Sequence, residues 1–206
     1  NAGAIIGTAM HEGCAFSLLE KMKSGEIGSD AEANDIAIGS LEEGLKETDI
    51  IYDQKITHNK MDAVKQVRSL LMVCRRDVIP NISPIMVERR LKARVGNIVL
   101  SCQGDVGDEP GVIDWKSGKK RHHINQMGAY GLLARSHGMN ATKSTEVHIE
   151  RVRPDKIQPP ATFTNYDIAV AENSALAVTK KIGRDLEEFR ETGSRFAFTA
   201  NPSSML

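Results

Sequence analysis

Hydrophobic residues recur at helical spacing through the first third of the chain. The pattern predicts a helix from Ala9 to Ser24 with Thr8 as its N-cap. A second helix is expected to run from Ser29 or Asp30 to about Lys46. A third is expected to start at Asn59 and to end at the Pro80–Pro84 segment, because proline and the residue before it disfavour helix.

The period then changes from helical to alternating. The alternation predicts a strand with one solvent-exposed face over Pro84–Val95. It predicts a second strand over Asn97–Val106. Gly107–Gly111 is rich in turn-forming residues and precedes a third short apolar run, Val112–Lys116. The second and third strands are therefore predicted to form a hairpin.

The last third alternates between the two periods. We expect a helix from His123 to Arg135, a strand from Val147 to Val152, and a long amphipathic helix from Asp167 to about Glu191, capped by Asn165 or Asp167. These elements predict an α/β fold with a central mixed β-sheet that contains an antiparallel hairpin and is flanked by helices. One domain is expected to span residues 1–206, with a helical part at 1–80 and the sheet and later helices at 81–206.

Composition limits the classes of function. The 206 residues contain 27 basic and 27 acidic side chains, so any surface that binds nucleic acid must be local. Three cysteines lie far apart without metal-type spacing, which favours free thiols in a reducing compartment. No apolar run is expected to reach membrane-spanning length, and a cytoplasmic location in a bacterium or phage-infected host is the expectation.

The segment Gly104–Gly118 carries the clearest chemistry. Asp105 and Asp114 lie near the same end of neighbouring predicted strands, which are about 5 Å apart, so their carboxylates are placed to share Mg²⁺ or Mn²⁺. Lys116 lies two residues after Asp114 and shares its face of the strand. An ordinary salt bridge between Asp114 and Lys116 explains the same pattern, and both interpretations stay open here.

Flanking residues add a family resemblance. Gly104 before Asp105, Ile113 before Asp114 and Ser117-Gly118 after Lys116 resemble the PD-(D/E)XK nuclease superfamily, and most of all its RecB-type branch, which includes phage and prophage exonucleases. The segment Gly7–Gly13 is similar to that branch's N-terminal helix motif, and Gln126–Tyr130 is similar to its Gln-x-x-x-Tyr motif. The resemblance covers roughly Gly7 to Arg135.

The resemblance implies a restriction-endonuclease-like core and a role for each matching residue. Lys116 is expected to position and activate the attacking water, while Gln126 and Tyr130 support the lysine or contact the DNA backbone. The implied metal ligands are His11, Asp105, Asp114 and the backbone carbonyl of Trp115. This chain departs mildly from the family pattern, because Asp114 stands where many members have glutamate and Gly104 stands in place of the proline.

Basic residues cluster locally, although the net charge of the chain is zero. Lys119, Lys120 and Arg121 follow Lys116 closely and are the predicted DNA-binding residues. His122 and His123 follow Arg121, and we expect them to belong to a solvated or phosphate-contacting loop. Glu88 lies among several arginines and lysines, and we expect it to pair with them rather than to approach the metal.

The resulting hypothesis is a Mg²⁺- or Mn²⁺-dependent deoxyribonuclease that hydrolyses phosphodiester bonds with a metal-activated water. By resemblance, it is expected to be an exonuclease of recombination or repair that acts on duplex or single-stranded DNA ends. The resemblance also implies that the chain assembles with a recombination or helicase partner or forms a homo-oligomer. Two alternatives stay open: a non-catalytic DNA-binding or assembly module of the same fold, and a metal hydrolase of small phosphorylated molecules.

Overall fold

Five helices and five strands make up the described part of the chain. The structure is a computed structural model, and it describes residues 1–46, 50–53, 55–95, 98–109, 111–117, 123–151, 157 and 160–194. The helices are α1 (Ala2–Ser24), α2 (Asp30–Gly44), α3 (Lys60–Val73), α4 (Ile124–Ser136) and α5 (Asn165–Thr192). After α3 the chain continues through a π-helical turn, Cys74–Val78, and a 3₁₀ turn, Ile79–Asn81. The strands are β1 (Pro84–Val95), β2 (Ile98–Asp108), β3 (Gly111–Ser117), β4 (Lys143–Ile149) and β5 (Ala161–Phe163).

The strands form one sheet in the order β1-β2-β3-β4-β5. Strands β3 and β4 are parallel, and the other neighbouring pairs are antiparallel. The hairpin of β2 and β3 places Val106 opposite Ile113. The predicted α/β fold, with a mixed sheet, an antiparallel hairpin and flanking helices, is confirmed.

Two hydrophobic cores lie on opposite faces of the sheet. One joins α1, α2 and α3 to residues such as Val106, Trp115 and Ile149. The other joins α4 and β5 to residues such as Leu91 and Val112. Because Trp115 alternates with Asp114 and Lys116 along β3, the two charged residues project to the side opposite the α1 core.

The local capping signals were right for two helices. Ser29 caps α2, and Asn59 caps α3 through its side chain. The prediction of Thr8 as the first N-cap was wrong, because α1 begins seven residues earlier and is capped by Asn1. The predicted caps of α5 were also wrong, since Thr164 is the N-cap and Asp167 completes a capping box with it.

Several strand boundaries also differ from the prediction. Strand β2 extends to Asp108, so the predicted turn Gly107–Gly111 is shorter than expected. Strand β4 runs from Lys143 to Ile149, which is shifted toward the N-terminus from the predicted Val147–Val152, because its register is set by pairing with β3. Strand β5 was not predicted, because three residues are too short to show a period.

The solvent-exposed face of strand β1 changes side along the strand, contrary to the prediction of one exposed face. Val87 packs against the α1 core, whereas Leu91 and Ala93 pack against the α4 core, although these positions share the same parity. The switch occurs at Glu88, which has a positive φ of 44°. A residue in this backbone region rotates the strand and re-aims the side chains that follow.

Helix α1 reaches membrane-spanning length, contrary to expectation. Its 23 residues include a window with a mean hydropathy of 1.2, and half of that window is buried inside the protein. Its buried residues include Ile6, Met10 and Leu18, which pack in the core formed with α2 and α3. The core helix of a globular domain meets the same criteria of length and composition.

Candidate metal centre

Three elements bring one ligand atom each to a common point. His11 projects from α1, Glu88 from β1 and Asp105 from β2. One ligand atom from each lies within 4.8 Å of the others. Within the described residues, these three side chains form the one group of histidine, cysteine, aspartate or glutamate residues that is close enough to hold a metal ion.

The His11 ring contacts both sides of this group. Its Nδ1 lies 3.4 Å from Asp105 Oδ1 and 3.8 Å from Glu88 Oε1, and its Nε2 lies 3.0 Å from the carbonyl oxygen of Trp115. Burial by itself lowers the pKa of His11, but hydrogen bonding and the negative charges of Asp105 and Glu88 outweigh it and raise the pKa to about 10. Without a metal, the ring is therefore an imidazolium that offsets part of the negative charge of the two carboxylates.

Asp105 is held by the neighbouring strand. Its Oδ2 accepts a hydrogen bond of 2.9 Å from the backbone N–H of Trp115, and the carboxylate is buried. Trp115 is itself fully buried in the α1 core, so this donor is fixed in place. The sequence-predicted neighbours His11, Asp105 and the Trp115 carbonyl are thus brought together, while their roles as metal ligands stay predictions.

Glu88 is the acidic residue whose placement corrects the sequence analysis. Instead of pairing with the arginines around it, it approaches His11, and its Oε2 accepts a hydrogen bond of 2.9 Å from Gln103. Its Oε1 is buried and accepts no hydrogen bond within the described part of the chain. Pairing of Arg89 with Gly104 places Glu88 opposite Asp105, and the sequence alone did not reveal this register.

Asp114 and Lys116 lie on the next strand. Lys116 Nζ is 2.7 Å from Asp114 Oδ2, so the predicted salt bridge is present, although Oδ2 has no partner in hydrogen-bond geometry. Burial and then the charge of Asp105 raise the pKa of Asp114 to about 6, while Lys116 and His11 oppose this shift. The ion pair and a metal role for Asp114 are compatible, and the latter stays a prediction.

The donor set fits a hard divalent cation. Carboxylate and carbonyl oxygens are the ligands that Mg²⁺ prefers, and an imidazole nitrogen also suits Mn²⁺. Glu88 Oε1 is the buried oxygen that would gain most from a cation, because it accepts no hydrogen bond from the described residues. The residues present therefore fit Mg²⁺ or Mn²⁺.

Gln126 and Tyr130 lie one turn apart on α4. Gln126 Nε2 donates a hydrogen bond of 2.7 Å to the Tyr130 hydroxyl. Burial, and then the charge of Asp114, raise the pKa of Tyr130 above its usual range, so the hydroxyl stays protonated. The same side chain belongs to the α4 core, so its packing and its predicted catalytic role coexist.

A second buried polar cluster adjoins β3 and was not predicted. Glu146 and His148 on β4 are the parallel partners of Asp114 and Lys116. Glu146 is fully buried; its Oε1 lies 2.5 Å from Nδ1 of His123, and its Oε2 lies 3.3 Å from Nε2 of His148. His123 is the N-cap residue of α4, at the predicted start of that helix, and its ring contacts buried Glu146 rather than lying in a solvated loop. Burial raises the pKa of Glu146, but the two histidines outweigh it and hold the pKa below its ordinary value.

The candidate metal centre opens into a polar cavity of about 430 Å³. The cavity is lined on one side by α1 and on the other by Glu88, Gln103, Asp105 and the end of β3. The larger cavity, about 750 Å³, lies by α2 and α3, where the buried Arg75 is already paired with Asp30. We assign the chemistry to the smaller cavity because the ligand atoms converge there. The predicted DNA-binding residues Lys119, Lys120 and Arg121 lie outside the described residues.

Comparison with known proteins supports the fold. No protein-family model matches this chain, and no curated protein matches it. The structure is similar to the crystal structure of a "Putative exonuclease" from Eubacterium rectale, with a TM-score of 0.54 and 15% sequence identity over 76% of this chain and 67% of the other. At this identity the match shows a shared, nuclease-like α/β fold.

Proposed function

We propose that this protein is a metal-dependent DNA nuclease of the PD-(D/E)XK type, and that it acts as an exonuclease. One observation carries the proposal: ligand atoms of His11, Glu88 and Asp105 converge within 4.8 Å, beside the Asp114–Lys116 pair on the adjacent strand. The fold shared with the Eubacterium rectale protein and the motifs in the sequence support the same conclusion.

The residues of the candidate centre have different roles in the proposed hydrolysis. Bound Mg²⁺ or Mn²⁺ would supply a Lewis acid that polarises the phosphate and lowers the pKa of a water. His11, Glu88 and Asp105 would hold the cation, with Asp114 and the Trp115 carbonyl as further ligands. The Trp115 N–H orients Asp105 before any ligand arrives. Such preorganisation lowers the cost of forming the charged transition state.

Lys116 has a separate part in the proposed reaction. Its side chain is 28% exposed and lines the same cavity as the metal ligands, so a phosphate in the cavity can reach it. A cation there stabilises the charge that develops on the phosphate and orients the nucleophile. The Asp114 carboxylate keeps the ammonium at the wall of the cavity, because the two groups are 2.7 Å apart.

DNA is the proposed substrate, and recombination or repair is the proposed role. The similarity in fold to the Eubacterium rectale protein, which is described as a putative exonuclease, and the likeness to phage exonucleases support this choice over a small phosphorylated substrate. The cavity is open, and Gly3, Ala4 and Gly7 of α1 line it with little side chain. A polymer can lie along such a surface, whereas a small molecule is usually enclosed.

The direct test is digestion of end-labelled linear DNA and closed circular DNA with Mg²⁺ or Mn²⁺. Lys116→Ala is compared with the wild type and with Lys143→Ala, a matched control at the opposite end of the β3–β4 pair, where Lys143 is exposed. We expect linear DNA to be cut in a metal-dependent manner by the wild type and the control. The Lys116 variant should lose at least about a hundredfold in rate.

The outcomes separate the candidate functions. Equal cleavage by the wild type and Lys116→Ala would refute the proposed mechanism. Cleavage of closed circles would exclude a strict exonuclease. Binding of DNA by the wild type without any cleavage would favour the non-catalytic module, and hydrolysis of p-nitrophenyl phosphate without cleavage of DNA would favour the small-molecule hydrolase.

A further inference from the structure

Arg151 is a partly buried cation at the carboxyl edge of the sheet, and it makes no ion pair with another described residue. It follows β4 by two residues, next to the end of β3 that carries Lys116 and Ser117. Its Nε and Nη1 atoms are buried and have no hydrogen-bond partner. Because guanidinium nitrogens that are removed from water without a hydrogen bond cost free energy, an anion that binds here would stabilise Arg151.

The guanidinium lies against the start of α1. A Cβ added to Gly3 would lie 2.5 Å from Arg151 Nη1, so only glycine leaves the guanidinium its present position. Gly3, Gly7 and His11 follow one another at intervals of four residues and therefore share one face of α1. Gly3, Gly7, His11 and Lys116 line the same cavity. No side chain of α1 at positions 3 and 7 thus separates Arg151 from the metal centre.

The charges around Arg151 also favour an anion. Arg151 lines a second cavity, of about 340 Å³, together with Lys55, Lys65, His58 and Asp62. The Asp62 carboxylate accepts a hydrogen bond from the backbone N–H of His58 and makes no ion pair with Arg151 within the described chain. Lys55 and Lys65 are exposed. Positive charge therefore continues beyond Arg151, away from the metal centre.

We propose that Arg151 binds a phosphate of the substrate strand next to the phosphate that is cut, and that the strand continues over α1 toward Lys55 and Lys65. The guanidinium is planar, and such a group can pair with two phosphate oxygens side by side. The inference rests on the proposed nuclease function for the identity of the strand. It adds a substrate-positioning residue that lies outside the metal-binding group.

The first test measures binding without cleavage. Fluorescence anisotropy of a labelled single-stranded oligodeoxynucleotide is followed in EDTA over a range of KCl concentrations. Arg151→Gln should weaken binding by roughly tenfold to a hundredfold and reduce the slope of log K against log salt by about 0.7, the value for one lost phosphate contact. Arg190→Gln, an equal charge change at an exposed site near the end of α5, should leave the slope unchanged.

Gly3→Ala provides a second test that leaves the arginine in the chain. Its new methyl group displaces the guanidinium, while alanine is favourable in a helix, so the protein should keep its thermal stability. We expect Gly3→Ala to weaken oligonucleotide binding in the wild-type background and to have no further effect in Arg151→Gln. Arg151→Lys should recover part of the salt slope but not the full affinity, because lysine lacks the planar fork.

The results distinguish this inference from the proposed function. A wild type that binds with the expected slope and never cuts DNA refutes the nuclease and leaves the Arg151 subsite standing. A protein that cuts DNA, but whose Arg151→Gln variant has the wild-type slope and KM, overturns the subsite alone. Additive effects of Gly3→Ala and Arg151→Gln would also overturn it, because the two changes would then act at independent places.

Discussion

The backbone N–H of Trp115 donates a hydrogen bond of 2.9 Å to Oδ2 of Asp105. This bond ties the acidic residue of β2 to the strand that carries Asp114 and Lys116. It leaves Oδ1 of Asp105 facing the His11 ring, 3.4 Å from Nδ1. The Asp105 carboxylate therefore contacts both β3 and α1. Its Oδ2 accepts the strand hydrogen bond, and its Oδ1 faces the candidate metal centre.

Changing Asp105 separates the roles of these two oxygens. Asp105→Asn keeps an oxygen that accepts the Trp115 N–H but removes the charge, so we expect a folded protein that loses metal-dependent cleavage. Asp105→Ala also leaves the buried N–H unpaired and should lower the free energy of unfolding by about 1–3 kcal/mol more than Asp105→Asn. Urea denaturation in EDTA measures this difference. Asp35→Asn, at an exposed position of α2, should change neither property.

Glu88 is predicted to be a metal ligand that the motifs do not include. Glu88→Gln keeps the size of the side chain and an oxygen for Gln103, but it removes the charge beside His11 and Asp105. We expect the Kd for Mn²⁺ to rise at least about tenfold by isothermal titration calorimetry. Glu187→Gln, on the exposed part of α5, is the matched control. An unchanged Kd would remove Glu88 from the centre.

The backbone at Glu88 is predicted to be strained, and this strain accompanies the placement of its carboxylate in the candidate metal centre. At a φ of 44°, glycine is tolerated better than a residue with a Cβ. Glu88→Gly should therefore be more stable than Glu88→Ala by about 1 kcal/mol, although both lose the carboxylate. Paired urea titrations in EDTA measure the difference. Equal stability of the two variants would show that this backbone stores no strain.

Metal binding is predicted to release a proton from His11. In the metal-free protein its pKa is raised to about 10, so the ring is protonated at pH 8, whereas a metal ligand must be neutral. Calorimetry with Mn²⁺ in two buffers of different ionisation enthalpy should detect release of about one proton at pH 8. The release should fall as the pH rises through about 10. Release that persists unchanged in His11→Asn would assign the proton to another group.

The stability of the metal-free protein should depend on Asp114 between pH 4 and pH 6. Burial and the charge of Asp105 raise its pKa from 3.8 to about 6, so in this range the folded state holds a proton that the unfolded state has released. The free energy of unfolding therefore falls as the pH rises through this window, by at most roughly 3 kcal/mol. The comparison of wild type with Asp114→Asn in EDTA isolates this contribution. A constant difference between the two proteins from pH 4 to pH 7 would contradict it.

The sequence by itself determined the features that depend on neighbours along the chain. Ser29 and Asn59 were recognisable as helix caps, because a cap bonds to backbone groups two or three residues away. The β2–β3 hairpin was recognisable from two apolar runs around a turn. That hairpin already placed Asp105 near Asp114, and the spacing of Asp114 and Lys116 put both on one face of β3.

Only the tertiary structure decided which other residues join them. Glu88 enters the centre through its pairing with β2 and a positive φ, and neither leaves a local pattern. Glu146 and His148 lie beside Asp114 and Lys116 because β4 pairs in parallel with β3, across a long connection whose register the sequence does not encode locally. Arg151 meets Gly3 only when the end of β4 packs on the start of α1. Contacts between distant segments follow from how whole elements bury their apolar faces, and they are therefore decided by the complete fold.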